Sequence, residues 1–136
     1  MDRKLSPPPV RNTKEPLLKT PPGACDTHFH IYGPQERFPF NPNRPMDAED
    51  STYEDLIKLH DTLGISRGVI VQSLMHGHCY EYMLNALCRD PERFRGIAMP
   101  APDITDGELE ILNVDTEESS FGISIVLLID AAQPPV

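Results

Sequence analysis

Short β-branched segments alternate with amphipathic segments along most of this chain, and this alternation constrains its fold more than any other feature. Four segments have the length and composition of buried strands, namely residues 24–31, 68–72, 94–99 and 123–129. Apolar residues recur at helical spacing between them. The order β-α-β-α-β-α-β predicts a parallel sheet, because parallel neighbours need a long crossover connection. The sequence therefore predicts an α/β fold with about four parallel strands and intervening helices.

Capping signals mark where the predicted helices begin and end. The stretch Ser51–Glu54 has the spacing of a capping box, and Gly64 lies where a left-handed cap residue ends a helix. The apolar face between them consists of Tyr53, Leu56, Ile57, His60 and Leu63. A second helix is predicted over about 79–89, with Tyr80, Met83, Leu84 and Leu87 on its apolar face. Thr105 and Glu108 form a second capping box, which opens a third helix.

Proline sets the character of the first part of the chain. Residues 1–22 contain six prolines and few apolar residues, which predicts a mostly disordered or draped arm ahead of a domain over 23–136. Residues 32–50 carry four more prolines and form a long loop. Loops of this length within compact domains are usually functional or disordered.

Composition excludes several classes of partner. The 21 acidic residues outnumber the 12 basic ones, and the formal net charge of -9 would repel nucleic acid or an anionic membrane surface. No apolar run approaches the roughly 18 to 20 residues that span a bilayer. Cys25, Cys79 and Cys88 lack the spacing of a zinc ribbon or a disulfide framework, which favours a reduced, cytoplasmic setting. Cys25 and Cys88 fall on predicted packing faces and are expected to be buried.

The first predicted strand contains the most informative stretch, Asp26-Thr27-His28-Phe29-His30. Side chains of a strand alternate between its faces, which places Asp26, His28 and His30 on one face and Phe29 on the other. Burial of three ionisable groups is costly unless they are paired, hydrogen-bonded or bound to a ligand. Satisfied core histidines are the ordinary alternative. The pattern predicts a polar site at the carboxyl end of this strand.

Polar side chains also follow the second predicted strand, in the loop from Gln72 to His78. Ligands collect at the carboxyl ends of strands in parallel α/β folds. Gln72, Ser73 and His76 are therefore predicted to bind substrate, and Ser73 and His76 are suited to a substrate carboxylate. The alternative is an ordinary turn with exposed histidines.

Several stretches resemble the amidohydrolase superfamily, and more narrowly its amidohydrolase-related group, which includes 2-pyrone-4,6-dicarboxylate lactonase and D-galactarolactone isomerase. They are Gly23–Pro34, Leu59–Gln72, His76-Gly77 and Arg93–Ala98, and together they cover residues 23 to about 112. The resemblance implies part of a (β/α)8 TIM barrel that hydrolyses lactones or related carboxylate-bearing rings. The expected partner is therefore a small-molecule lactone or carboxylate.

The resemblance also implies roles for the predicted site residues. His28 and His30 would bind a divalent metal ion, zinc or manganese, or would activate water and polarise a substrate carbonyl. Asp26, one step deeper on the predicted face, would complete the catalytic group by accepting a hydrogen bond that fixes an imidazole tautomer, and a local backbone hydrogen bond is the alternative for it. In the lactonase branch hydrolysis proceeds without a required metal, so a metal-independent mechanism stays open. A zinc site of both histidines with His76 and Cys79 is a further alternative that no spacing rule supports.

Two departures from the family pattern limit these implications. The long loop carries Asn43–Ala48 where relatives often have a tyrosine that holds substrate, and the chain after Asn113 is acidic and polar, with no arginine in the predicted fourth strand. A complete barrel takes about 250 residues. We therefore expect this chain to be a truncated, N-terminal half, without the acid–base carboxylate that the superfamily carries on its eighth strand.

Two functions are predicted as a result. The first is a hydrolase that opens a lactone or related ring by attack of activated water. The second is a catalytically inactive fragment with only oligomerisation or metal-binding capacity. Four strands of an opened barrel expose an edge and an inner face. Either two chains would pair as a homo-oligomer, the sheet would close on itself, or the fold would be marginally stable.

Overall fold

The computed structural model describes residues 3–112 and, beyond them, the backbone of residues 115–116, 119–120 and 123–125. A short 3₁₀ turn, Leu74–His76, follows the second strand. The helices and strands, in chain order, are β1 (Cys25–Phe29), α1 (Tyr53–Leu63), β2 (Arg67–Val71), α2 (Glu81–Arg89), β3 (Phe94–Ala98), α3 (Asp106–Leu112), β4 (Asp115–Thr116), β5 (Ser119–Ser120) and β6 (Ile123–Ile125).

The main sheet has the strand order β1-β2-β3-β6, and every neighbouring pair is parallel. This confirms the predicted α/β fold with four parallel strands and helical connections. The predicted fourth strand corresponds to β6, and residues 126–129 of that prediction lie outside the described residues. The acidic stretch after Asn113 contains the short antiparallel pair β4–β5, which the sequence did not predict.

Both α1 and α2 pack on the same face of the sheet. The core between them and the sheet contains Ile31, Leu56, Ile70, Tyr82, Met83, Ala86, Leu87, Phe94 and Ala98. The residues that alternate with these on the strands, Val69, Val71 and Ile97, are only half-buried, and Arg95 is exposed. The placement of α1 and α2 together on one face is the arrangement of a barrel segment, whereas a doubly wound sheet has helices on both faces. We refer to the other face of the sheet, which neither α1 nor α2 covers, as the open face.

The helix caps follow the predictions with one shift. The capping box of α1 pairs Thr52 with Asp55, one residue later than predicted, and the Asp55 N–H donates to Thr52 Oγ1 at 3.4 Å. Glu54 instead pairs with Arg89 at 2.7 Å, a contact that lowers the pKa of the Glu54 carboxyl. Gly64 ends the helix in the left-handed conformation, with φ of 73°. Among the described residues, no helix is long and apolar enough to cross a membrane.

The second capping box also forms as predicted, since the Glu108 N–H donates to Thr105 Oγ1 and the Thr105 N–H donates to Glu108 Oε2. The prediction for the buried face of α2 was partly wrong. Its buried residues are Tyr82, Met83, Ala86 and Leu87. Tyr80 is the N-cap residue and lies outside the helix, and it packs partly buried against the core, as does Leu84.

The predicted burial of Cys25 and Cys88 was wrong, because both thiols are exposed, as is that of Cys79. Cys25 begins β1, which is the edge strand of the main sheet. Cys88 lies about 100° around α2 from the fully buried Leu87 and therefore points toward solvent.

The part of the N-terminal arm that the structure describes lies against the folded chain at several points. It runs along the long loop, where the Ser6 N–H donates to the Asp47 carbonyl at 2.7 Å and Arg11 Nη2 donates to the Asp50 carbonyl at 2.8 Å. Farther along, Thr20 Oγ1 donates to the Leu63 carbonyl at the end of α1. A cavity of about 290 Å³ lies between the arm, α1 and β1.

Two glycines on the helix-facing side of the sheet offer a matched test of this packing. A Cβ on Gly68 would lie 2.6 Å from the Phe29 ring, whereas one on Gly96 would lie 2.9 Å from the Leu87 side-chain tip. Phe29 is held by the rings of His60 and Phe94, so it cannot move freely. We expect Gly68→Ala to lower the free energy of unfolding by roughly 1–3 kcal/mol, and Gly96→Ala by less.

Urea denaturation followed by circular dichroism measures both variants. The Gly96→Ala variant controls for the general cost of adding a methyl group to this sheet face. Equal losses in the two variants would show that the Phe29 ring is not the constraint.

Candidate active site

A bulge in β1 decides which side chains reach the open face. Asp26 is opposite Gly68 and Phe29 is opposite Ile70, so three steps along β1 match two steps along β2. Residues opposite each other in a parallel pair share a face, which puts Asp26 and Phe29 on the helix side together. The predicted alternation was therefore wrong for Asp26. His28 and His30 flank Phe29 and lie on the open face.

The two imidazoles of the open face are neighbours and both are exposed. Their ring centroids are 5.2 Å apart, with the rings edge to face. His30 Nδ1 lies 2.7 Å from the Val71 carbonyl oxygen at the end of β2. A carbonyl only accepts, so Nδ1 carries a proton and Nε2 is the ring nitrogen left for a further contact. That nitrogen is available to accept a proton or to bind a metal ion.

Asp26 contacts neither of these two rings through its carboxylate. Its Oδ2 atom lies 3.2 Å from Nε2 of His60 on α1, and its Oδ1 atom accepts the His28 N–H at 3.2 Å. The sequence analysis had placed His60 in the apolar face of α1 without a polar partner. Asp26 thus bonds both an imidazole and the local backbone, and the imidazole belongs to a buried residue of α1.

Gln72 joins two loops at the carboxyl ends of the strands. Its side chain is buried, with Oε1 accepting the Met99 N–H at 2.5 Å and Nε2 donating to the Gly77 carbonyl at 2.7 Å. The predicted substrate-binding amide therefore connects the loop after β2 to the end of β3. Gln72 therefore lies at the carboxyl end of the sheet, as predicted, but its side-chain amide bonds backbone groups of the protein.

Ser73 and His76 are buried beneath Tyr32. Ser73 Oγ donates to the Tyr32 hydroxyl at 3.3 Å and accepts the Met75 N–H at 3.2 Å. The His76 ring stacks on Tyr82 with a centroid separation of 3.9 Å and approaches the Tyr32 ring at 6.2 Å. Neither residue reaches the open face directly.

Tyr32 links the two groups of predicted site residues, and the sequence analysis did not single it out. Its ring stacks on that of His30 at a centroid distance of 6.3 Å. The spacing of His28, His30 and Tyr32 continues the period of two along the chain. That periodicity was the signal that would have identified this tyrosine as part of the site.

Burial perturbs the titration of three of these groups. Desolvation lowers the pKa of His76 below its ordinary 6.5, and the nearby Pro39 carbonyl, which is outside hydrogen-bonding geometry, opposes the shift. Desolvation also lowers the pKa of His60, although the Asp26 carboxylate opposes it. The Tyr82 hydroxyl is buried and its pKa is raised for the same reason. His60 and His76 are therefore neutral at pH 7, and Tyr82 stays protonated.

A metal site needs several donor side chains that converge on one point. Among the residues whose side chains are described, no three His, Cys, Asp or Glu side chains converge to hold a metal ion. The proposed grouping of His28 and His30 with His76 and Cys79 therefore does not form. His30 has the hydrogen bond to a carbonyl that is typical of a metal-binding histidine. The two exposed imidazoles supply at most two ligands, so we derive no step through a metal ion.

Comparisons with known proteins identify the family of this chain. A family model described as Amidohydrolase matches residues 25–126. The chain is 41% identical over 90 residues to 4-sulfomuconolactone hydrolase of Hydrogenophaga intermedia, covering 66% of this chain and 30% of that protein. It is 37% identical over 102 residues to 2-pyrone-4,6-dicarboxylate hydrolase of Comamonas testosteroni, covering 75% of this chain and 33% of the relative.

A solved structure shows the same fold relationship. The probable 2-pyrone-4,6-dicarboxylic acid hydrolase of Acinetobacter baumannii, determined with citric acid bound, superposes with a TM-score of 0.57 at 30% identity. The match covers 64% of this chain and 32% of that structure. The chain therefore aligns with about a third of the length of the curated relatives it matches.

The buried histidines make the stability of this fold depend on pH. Because the pKa values of His60 and His76 are lowered in the folded state, unfolding takes up protons near and below pH 6.5. The free energy of unfolding is then fully retained above about pH 6.5 and falls as the pH drops below it. His76→Phe keeps the aromatic stack on Tyr82 and removes two buried nitrogens that have no partner among the described residues.

We expect His76→Phe to be more stable than the parent chain by roughly 1 kcal/mol at pH 7.5. Its loss of stability between pH 7.5 and 5 should also be smaller. Urea midpoints across this pH range measure both effects, and His78→Phe at an exposed position is the matched control. A pH profile as steep in His76→Phe as in the parent would contradict the role of buried His76.

Proposed function

Because this chain belongs to the amidohydrolase family, we propose that it supplies the first part of a hydrolase site that opens a lactone bearing a carboxylate. The names of two curated relatives, a sulfomuconolactone hydrolase and a pyrone dicarboxylate hydrolase, support a ring ester as the substrate class. The reaction forms a bond between a water oxygen and the lactone carbonyl carbon and breaks the ring C–O bond. The product is an open-chain hydroxy acid or its keto tautomer.

The observation that carries this proposal is the placement of His28 and His30 on the open face. His30 donates from Nδ1 to the Val71 carbonyl, which leaves Nε2 as the ring nitrogen that can act as an acceptor. A neutral imidazole in that state accepts a proton from water as the water attacks. His28, at 5.2 Å between ring centroids, lies close enough to contact the same substrate carbonyl. The same proton then returns to the ring oxygen as it leaves.

In this proposal one wall of the substrate-binding site is formed by Tyr32, and Gln72, Ser73 and His76 support it from the interior of the protein. The Ser73 hydroxyl and the His76 ring contact Tyr32, and Tyr32 stacks against His30. Gln72 fixes the loop that carries Ser73 and His76 against β3. The wall therefore presents an aromatic surface and a hydroxyl beside the reacting imidazole, which suits a planar, conjugated ring.

The proposed function is compatible with a divalent metal ion bound at this site. Where a zinc or manganese ion is bound, His28 and His30 would be its ligands in this part of the chain, and the ion would polarise the carbonyl or acidify water. The steps above use only the two imidazoles. They describe what the residues of this chain do in either case.

The alternative function, a chain that is inactive by itself, is favoured by one observation. Among the described residues, the carboxylate nearest in sequence to the two imidazoles, Asp26, is on the helix side and bonds His60. A second acid–base group has therefore to come from elsewhere. In that case the exposed imidazoles retain only binding capacity.

Turnover by the purified chain separates the two functions. We expect slow hydrolysis of carboxylated lactones, with and without added zinc or manganese, and a loss of at least about 100-fold in His30→Ala because the proton acceptor is removed. His28→Ala should lose turnover as well. Ring opening is followed by the absorbance of the conjugated lactone.

The matched control is His78→Ala, since His78 is also an exposed imidazole bonded to a backbone carbonyl, that of Met99 at 3.1 Å. Its activity should equal that of the parent chain. No turnover by the parent under any metal condition would support the inactive alternative. Turnover that survives in both His28→Ala and His30→Ala would contradict the assigned roles.

A further inference from the structure

His60 is a buried polar side chain that the proposed function does not use. It lies on α1 with 0% exposure, enclosed by Phe29 and Phe94 at ring-centroid distances of 5.1 and 6.0 Å. Its Nε2 atom is 3.2 Å from Asp26 Oδ2, while its Nδ1 atom has no partner within the described residues. A neutral ring in these surroundings carries its proton on Nε2 and donates it to the carboxylate.

The second oxygen of the same carboxylate holds the backbone of the site. Asp26 Oδ1 accepts the N–H of His28, two residues later. A side-chain oxygen that accepts from the second following residue closes a local turn, which a fully extended strand does not allow. This contact therefore spans the segment in which β1 has its extra residue relative to β2.

That extra residue determines where the imidazoles lie. Without the bulge, Asp26 and His28 would share a face, and Phe29 would move away from the core that it fills with His60 and Phe94. With the bulge, Asp26 and Phe29 both contact α1, and the two imidazoles that flank Phe29 are on the open face. The carboxylate has one acceptor for each element: one for the helix and one for the bulged strand.

We propose that Asp26 is a positioning residue, whose carboxylate ties His60 of α1 to the bulge of β1 and thereby fixes the face on which His28 and His30 lie. The proposal rests on the proposed function only in taking those two imidazoles as the reacting groups. Asp26 and His60 act on substrate through them, without touching it.

The chemistry of the side chain supplies the test. A carboxylate offers two acceptors and no donor, whereas an asparagine amide offers one acceptor and one donor group. Asp26→Asn keeps the volume, but it can satisfy either the His60 Nε2–H or the His28 N–H, not both. Either His60 changes tautomer, placing its proton on Nδ1, or the His28 N–H loses its partner.

NMR spectra of the full chain, labelled with ¹⁵N, detect these changes without any substrate. In the parent we expect the Nε2–H tautomer at His60 and an NOE between the His28 and His30 rings. In Asp26→Asn we expect a changed His60 tautomer or a faster-exchanging His28 amide, with a weakened NOE between the rings. Where turnover is measurable, it should fall by about 10- to 100-fold.

Two pairs of variants control the result. Asp61→Asn makes the same chemical change at an exposed carboxylate bonded to Arg93 and should leave all three signals unchanged. His60→Gln keeps a donor near the position of Nε2 and should retain the NOE, whereas His60→Leu should lose it. A merely stabilising contact would change the unfolding midpoint in these variants but not the ring geometry of the folded molecules.

The proposal is overturned if Asp26→Asn keeps the His60 tautomer, the His28 amide exchange and the ring NOE of the parent. It is also overturned if His60→Leu retains the NOE. These readouts are independent of lactone hydrolysis, so an inactive chain with the expected spectra would reject the proposed function and keep the positioning role.

Discussion

The mismatch of three residues on β1 with two on β2 is the constraint on which the site depends. The register between the two strands is fixed by packing on the helix side, where Phe29 fills the space above Gly68 that a Cβ would occupy. Because side chains in a strand alternate, the choice of core residues on one face also determines the polar residues on the other. His28 and His30 reach the open face because Phe29 and Asp26 both belong to the core side.

Four of the five histidines form two pairs, one buried and one exposed, and burial gives the imidazoles of the two pairs different properties. His60 and His76 are buried, neutral and packed among aromatic rings, so their proton affinity is low. His28 and His30 are exposed and retain a free nitrogen for exchange with water or a ligand. In the proposed function, the buried pair contributes to the shape of the site and the exposed pair to its chemistry. Tyr32 contacts one member of each pair, His30 and His76, whereas Asp26 bonds both the His60 ring and the His28 N–H.

The sequence predicted the elements well and the side-chain environments less well, for a physical reason. Periodicity and capping residues are local, so the four strands and three helices were correctly ordered, and the first capping box was displaced by only one residue. The bulge of β1 depends on its pairing with β2 and on Gly68, which no local pattern reveals. For the same reason the orientation of Asp26, the exposure of Cys25 and the partner of His60 were outside the reach of the sequence. The exposure of Cys88 follows instead from its position around α2 relative to the buried Leu87.

Stability alone does not explain a histidine and a carboxylate between α1 and β1. Desolvation of a polar pair offsets most of the attraction between its members, and apolar side chains of similar volume in such places often leave a protein as stable or make it more stable. Two apolar residues at positions 26 and 60 would fill the space beside Phe29 and Phe94, yet neither would accept the His28 N–H. Without that acceptor, the His28 N–H would lose its partner within the protein, and only water could replace it. The polar pair therefore contributes geometry, since it makes one strand conformation, with both rings on the open face, better satisfied than its alternatives.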